Sequence, residues 1–151
     1  MKPALLIALV GLAAAQVAAA KQYSSFRAHT ETNASSGPTF SSQVPFLGRT
    51  VTLEKVPALS ERDVVSFRSY RAADGTFGVL FELSPHGRLA LDTLSVDRRG
   101  ATLFVFVNGR AITELQIDRR ITDGKIYLPS GLTANDVALL QKDWPPRRGD
   151  R

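Results

Sequence analysis

Between Phe77 and Trp144 the hydrophobic period changes at every turn signal, and this alternation constrains the fold more than any other feature of the chain. Phe77, Val79, Phe81 and Leu83 recur with period two, which sets them on one face of a strand. Ser84-Pro85 then switches the pattern. Serine accepts a hydrogen bond at a helix N-cap, and proline in the first turn loses nothing because its N–H would have no partner there. The spacing predicts a helix ending near Asp97, with Leu89, Ala90, Thr93 and Leu94 as its apolar stripe. Arg98 and Arg99 fall at its last turn, where cations oppose the negative end of the helix dipole, and Gly100 stops it. Thr102 to Val107 is almost continuously apolar and predicts a central strand covered on both faces. Asn108-Gly109 is the pair a type I′ hairpin turn favours, because both residues tolerate positive φ. The chain returns over Arg110 to Arg119, turns at Asp123-Gly124 and forms a short strand over Lys125 to Leu128, which Pro129-Ser130-Gly131 breaks. Thr133, with Asp136 three residues on, caps a last helix whose Val137, Leu140 and Trp144 face inward. Phe81, Leu94, Val105, Ile117 and Leu140 are the expected core positions.

Upstream, Arg49 to Val56 alternates as a strand and Pro57 ends it. Ser60 is placed to cap a single turn through Glu61, Arg62 and Asp63. Val64 to Arg71 reads as the next strand, with Val65 and Phe67 on one face, and Asp74-Gly75 turns it into the strand at Phe77. Residues 21–48 are a polar extension. Alternation through Ser24, Phe26 and Ala28, and the return over Phe40 to Val44, make a β-hairpin about Gly37-Pro38 the candidate structure there.

The chain has 151 residues. Residues 1–20 read as a signal peptide: Lys2, an apolar run, and small residues at Ala18-Ala19-Ala20 before a cut. No second apolar run follows, so the expected mature protein does not span a membrane. It has one domain's length. The formal charge of +5 is a modest excess that permits an anionic partner without requiring one. There are no cysteines, which excludes disulfides, thiolate metal sites and a cysteine nucleophile. An exported domain without disulfides fits a bacterial periplasm or cell exterior. Residues 145–151 read as a disordered basic tail.

From Val51 to Trp144 the chain resembles the periplasmic domain of the SecD protein-export subunit. The likeness rests on Pro57 and Leu59 in an extended segment, Val64-Val65, and the strand Gly78 to Leu83. It continues with the helix containing Gly87 and the hairpin Leu103 to Ile112 that turns on Asn108-Gly109-Arg110. Ile121, Gly124-Lys125-Ile126 and Ser130-Gly131-Leu132-Thr133 complete it. The resemblance implies an α+β fold for residues 49–144: a ferredoxin-like core, mostly antiparallel sheet with two helices on one face, plus an N-terminal β extension. It also implies a tendency to meet polypeptide in the periplasm. Two features depart from the family pattern. Transmembrane helices with ion-coupling acidic residues follow this domain in the family and have no counterpart here. A strand that follows the last helix is replaced by Pro145-Pro146-Arg147-Arg148, and residues 21–56 are the candidate to supply the missing sheet partner.

Chemistry has little to stand on. His29 and His86 lie in different elements, and neither has a carboxylate or histidine at metal-ligand spacing; a general base needs a positioned partner. Ser84 and Ser130 lack a nucleophile-elbow context, no phosphate-binding glycine pattern occurs, and Glu82 and Glu114 read as solvent-face strand residues. No catalytic residue, metal site or cofactor is expected. Asp-Arg-Arg occurs twice, at Asp97-Arg98-Arg99 and Asp118-Arg119-Arg120, with Arg110 at the hairpin tip between them. Solvation of element ends accounts for them; the sharper reading is a binding rim of Arg98, Arg99, Arg110, Arg119 and Arg120 for carboxylate or phosphate. Aromatics do not interleave with these arginines, so nucleic acid is not an expected partner. The expectation is an exported, non-catalytic binding or accessory module with a protein or peptide partner. The alternatives are a small exported hydrolase with a dispersed site and a structural subunit of an envelope assembly.

Overall fold

The computed structural model describes residues 23–32, 35 and 37–144. The expected signal peptide and basic tail lie outside the described residues. The chain is α+β and its strand pairings are antiparallel, over three sheets. In the first sheet β4 (Leu59–Ser60), β1 (Phe26–Thr30), β7 (Thr102–Val107) and β8 (Arg110–Gln116) lie in that order. The second is the hairpin of β2 (Ser41–Phe46) and β3 (Arg49–Glu54), preceded by the short helix α1 (Gly37–Phe40). The third holds β5 (Val64–Arg71), β6 (Phe77–Leu83) and β9 (Lys125–Leu132). Two longer helices, α2 (Pro85–Asp97) and α3 (Ala134–Asp143), complete it. The ferredoxin-like order is not established by these pairings, because β6 pairs with β5 and β9 while β7 pairs with β1 and β8.

Alternation decides the layers. Leu103, Val105 and Val107 of β7 enter the main core with Phe26, Val79, Phe81, Leu91, Leu128 and Leu140. Phe104 faces the other way and forms a second core with Phe46, Val51 and Leu53 of the β2–β3 hairpin, and Phe106 packs against it. Phe46 meets Phe104 and Phe106 edge-on, with ring centroids 4.9 and 5.3 Å apart, the arrangement that the aromatic quadrupole favours.

The caps and turns follow the sequence closely. Ser84 Oγ accepts from Gly87 N at 3.2 Å, and Thr133 and Asp136 form a reciprocal capping box. Asn108 and Gly109 both have positive φ, 50° and 77°, as a type I′ turn needs. Asn108 does more than turn the chain. Its Oδ1 accepts from Ser25 N at 3.2 Å, and its Nδ2 donates to Asp136 Oδ1 at 3.2 Å, so the hairpin tip ties the start of β1 to the start of α3.

Four expectations need correction. Residues 21–48 do not form a hairpin about Gly37-Pro38: β1 pairs with β7 and β4, and β2 pairs with β3. Within the upstream segment, β1 joins the sheet of β7 and β4. In α2 the inward face is Gly87, Leu91 and Ser95, with Ala90 and Leu94 half-buried, while Leu89 is 65% exposed and Thr93 is exposed. The stripe is rotated because Gly87 is drawn against Asp63: a Cβ there would lie 2.7 Å from the Asp63 Cβ. On β5 a register shift between Val64 and Ser66 buries Val64 with Phe67 and exposes Val65. Finally, Pro129 does not end β9, which continues to Leu132 across an irregularity between its Val79 and Phe77 pairings. An edge strand accommodates this because proline withholds only an outward N–H.

The rotated face of α2 gives a direct test. Leu91→Ala is expected to cost about 2–5 kcal/mol, and Leu89→Ala to change stability by less than about 0.5 kcal/mol. Urea unfolding of the two variants measures the difference, and equal losses would return Leu89 to the core.

Candidate functional site

The end of α2 and the end of β8 meet on one rim. Gly100 N donates to Ile117 O at 2.7 Å and Ile117 N to Ala101 O at 2.9 Å, while Ile121 N donates to Ser95 Oγ at 2.9 Å. These bonds set the chain at Arg98 and Arg99 beside the chain at Arg119 and Arg120. Arg110 is not with them, because it stands at the opposite end of β8.

Local carboxylates and carbonyls occupy most of this rim. Arg98 Nη2 bonds Glu54 Oε1 at 2.6 Å, and Arg99 Nε donates to Asp118 O at 3.2 Å. Arg120 grips Asp92 with two bonds of 2.5 and 2.9 Å, the bidentate fork that suits a guanidinium. That hydrogen bond from Arg120 holds the Asp92 pKa below its ordinary value and raises that of Arg120. Arg119 is exposed and has no ion-pair partner among the described residues.

Arg110 meets the nearly buried Asp136, whose oxygens also receive the Thr133 N–H and hydroxyl and the Asn108 amide. Asp63 is the other buried carboxylate. Its Oδ2 accepts from Ser60 N at 2.9 Å, and its Oδ1 lies 2.8 Å from His86 Nδ1. Sequence spacing missed this pair because the two residues stand 23 positions apart and meet only when α2 docks on the turn before β5. His86 is otherwise solvent-exposed, and no nucleophile is recorded against its other ring nitrogen among the described residues. His29 Nδ1 lies 2.8 Å from Glu54 O, and its ring packs edge-on to Phe106. Glu82 accepts from Ser66 Oγ at 2.8 Å, and Glu114 pairs with Arg49. Among the described residues no group of three or more His, Asp or Glu is placed to hold a metal ion, and no helix is long and apolar enough to cross a membrane.

Beside the rim, β8 and β9 diverge. Arg110 Nη2 reaches Gly131 O at 3.4 Å near one end, where Gly131 also lies against Ile112. Towards the loop from Ile117 to Gly124 a cleft of about 550 Å³ opens between them, lined by Leu115, Ile117, Ile126, Tyr127, Arg119 and Lys125 among others. Tyr127 is 55% exposed and stacks on Tyr70, with ring centroids 5.5 Å apart and planes within 7°. Tyr70 in turn lies over Gly78, where any Cβ would collide with its ring, and bonds Leu128 O at 2.7 Å.

The fold has known counterparts. A solved structure described as that of a membrane component SecDF that enhances protein export matches with a TM-score of 0.58 at 16% identity, over 82% of this chain and 64% of that one. A crystal structure of SecDF in the super-membrane-facing form matches with a TM-score of 0.55 at 17% identity, over 82% of this chain and 19% of that one. The chain therefore has a SecD-like fold and spans less than two thirds of either counterpart. No protein-family model and no curated protein matches the chain.

The two buried carboxylates predict acid sensitivity. Burial alone would raise the pKa of Asp63. The Ser60 N–H, the His86 ring and the Ser60 hydroxyl outweigh it and bring the pKa below the ordinary value. Asp136 is raised by burial and lowered further by the Thr133 N–H, Arg110, the Thr133 hydroxyl and Asn108. Both folded pKa values lie below the unfolded one. The stabilisation is therefore complete above about pH 4 and is lost as pH falls through the folded values. Stability measured by urea unfolding should fall below about pH 4. Asp63→Asn combined with Asp136→Asn should lower stability at neutral pH and flatten that fall. A double variant with the parent's acid slope would rule these carboxylates out as its source.

Proposed function

We propose that this chain is a non-catalytic accessory module that meets unfolded polypeptide outside the cytoplasm. The observation that carries this reading is the SecD-like fold, shared with structures of a membrane component that enhances protein export. The cleft between two strand edges adds support, because a free strand edge offers backbone donors and acceptors to any extended chain, whatever its sequence. The uses of the polar groups are consistent with it. His86 fastens a helix start, His29 meets a carbonyl, and Glu82 and Glu114 serve cross-strand contacts. The placement outside the cytoplasm rests on the Lys2, apolar and Ala18-Ala19-Ala20 pattern.

The arginine rim belongs to this proposal in reduced form. Arg98, Arg99, Arg119 and Arg120 lie among Glu54, Asp92, Asp97 and Asp118, so the formal charges of these eight side chains balance. The rim as a whole therefore carries no excess of positive charge to draw an anionic partner. Arg110 is assigned to the Asp136 contact.

Reduced, carboxymethylated α-lactalbumin, which stays unfolded, is the test probe, with native α-lactalbumin as its control. Fluorescence anisotropy should show the protein binding the unfolded form and ignoring the native one. Equal binding of both forms, or of neither, would overturn the reading.

A further inference from the structure

Asn108 precedes Gly109, and no other asparagine of the chain precedes a glycine. An asparagine amide can be attacked by the backbone nitrogen of the next residue, and glycine hinders that attack least because it has no Cβ. The Gly109 N–H has no hydrogen-bond partner among the described residues, and a Cβ placed on Gly109 would meet nothing within 4 Å. The attacking nitrogen is therefore open to solvent base.

Two features of the folded chain oppose the attack. In a type I′ turn the first central residue has ψ of about +30°, which holds the next nitrogen on the opposite side of Cα from Cβ. Ring closure needs nitrogen and side chain on the same side. The amide is also clamped between two other elements. Ser25 O accepts from Asn108 N at 2.9 Å, and Ser25 N donates to Asn108 Oδ1 at 3.2 Å, at the start of β1. At the start of α3, Nδ2 donates to Asp136 Oδ1 at 3.2 Å and lies 3.5 Å from Asp136 O. Turning Cγ towards Gly109 breaks the side-chain bonds on both sides.

We propose that Asn108 is a site of self-deamidation that the β1–α3 clamp protects in the folded chain, and whose acidic product cannot rebuild the clamp. The Gly109 N–H gives its proton to solvent base and the nitrogen attacks Asn108 Cγ. The N–Cγ bond forms, the Cγ–Nδ2 bond breaks, and ammonia leaves with the proton returned to it. Water then opens the cyclic imide at either carbonyl. One opening leaves an ordinary aspartate at position 108; the other leaves a carboxylate there and lengthens the backbone by one carbon. In the first product an oxygen replaces Nδ2, so a donor becomes an anion facing Asp136 Oδ1, and like charges this close cannot both ionise cheaply. Arg110 already serves Asp136 and is left to serve two carboxylates. In the second product the extra backbone atom breaks the two-residue turn that sets the β7–β8 register. Conversion is thus one-way, and time spent unfolded is written into residue 108.

The full chain is held in mildly alkaline buffer, native or in guanidinium chloride, and the peptide containing residue 108 is followed by mass and by isoaspartate detection. The amide is expected to convert at least roughly tenfold faster in denaturant, because the native chain reacts only through local opening. When a partly converted sample is refolded, the folded pool should be enriched in unconverted chains. Asn108→Gly keeps the positive φ and has no amide to lose; Asn108→Asp should have a lower urea midpoint than Asn108→Gly. Equal rates in native and denatured samples, or no conversion in denaturant, overturns the proposal. So does an Asn108→Asp midpoint at or above that of Asn108→Gly. Should Asn108→Asp not fold, the refolded parent decides: converted chains present in the folded pool in their starting proportion would show that the product rebuilds the clamp.

Discussion

β7 is apolar on both faces, and no stable arrangement leaves either face in water. Each buried leucine, valine or phenylalanine side chain contributes about 1.5–3 kcal/mol relative to exposure, so the six residues Thr102–Val107 dictate a layer above and a layer below. The main core takes Leu103, Val105 and Val107, and the β2–β3 hairpin takes Phe104 and Phe106. The edges of β7 need partners as well, because its N–H and C=O groups are buried with it. β8 satisfies one edge through the Asn108-Gly109 turn, and β1 arrives from far upstream to satisfy the other. Removing β1 would strand the backbone of the most buried strand, so the polar-looking start of the chain is integral to the core.

Two buried carboxylates hold the layers in register. Asp63 and Asp136 each close a capping box, and each also reaches outside its own turn, to His86 on α2 and to Arg110 and Asn108 on the β7–β8 hairpin. A charge this well enclosed is tolerable only because several donors converge on it. The consequence is mechanical. The start of α2 is fixed to the turn between β4 and β5 and that of α3 to the β7–β8 hairpin, so neither helix can slide without breaking a bond to a carboxylate. Asn108 sits at the centre of one such junction, which explains why asparagine stands at the first turn position where glycine would also fit the positive φ.

What was legible in the sequence was local. Strand alternation at Phe77–Leu83, the Ser84 and Thr133 caps, the Ser60 turn and the Asn108-Gly109 hairpin depend on neighbours within a few residues, and all appear as read. The misreadings share one cause, namely contacts made across long separations. The inward face of α2 is set by Gly87 against Asp63, the partner of β1 by the two-sided burial of β7, and the exposure of Val65 by a register shift on β5. The site divided the same way. Clustered arginines were visible by composition, but their partners Glu54, Asp92 and Asp136 lie 44, 28 and 26 residues from them. The cleft between β8 and β9 left no mark on the sequence, because a gap between two sheet edges is a property of how sheets splay.

The same physics explains why that gap exists. β8 belongs to the sheet of β1 and β7, and β9 belongs to the sheet of β5 and β6. Closing them into one sheet would require a common twist and register along their whole length, and two irregularities stand against it. β8 carries a register shift opposite Val105 and Phe106, and β9 carries its own near Pro129 and Gly131. Bulges bend a strand and increase its local twist, so the two edges meet near Ile112 and Gly131 and part towards Gln116 and Lys125. Exposed edges are ordinarily blunted with charge or proline to prevent aggregation. Here Pro129 protects the part of β9 beyond Tyr127, and Arg119, Lys125 and Asp118 guard the mouth.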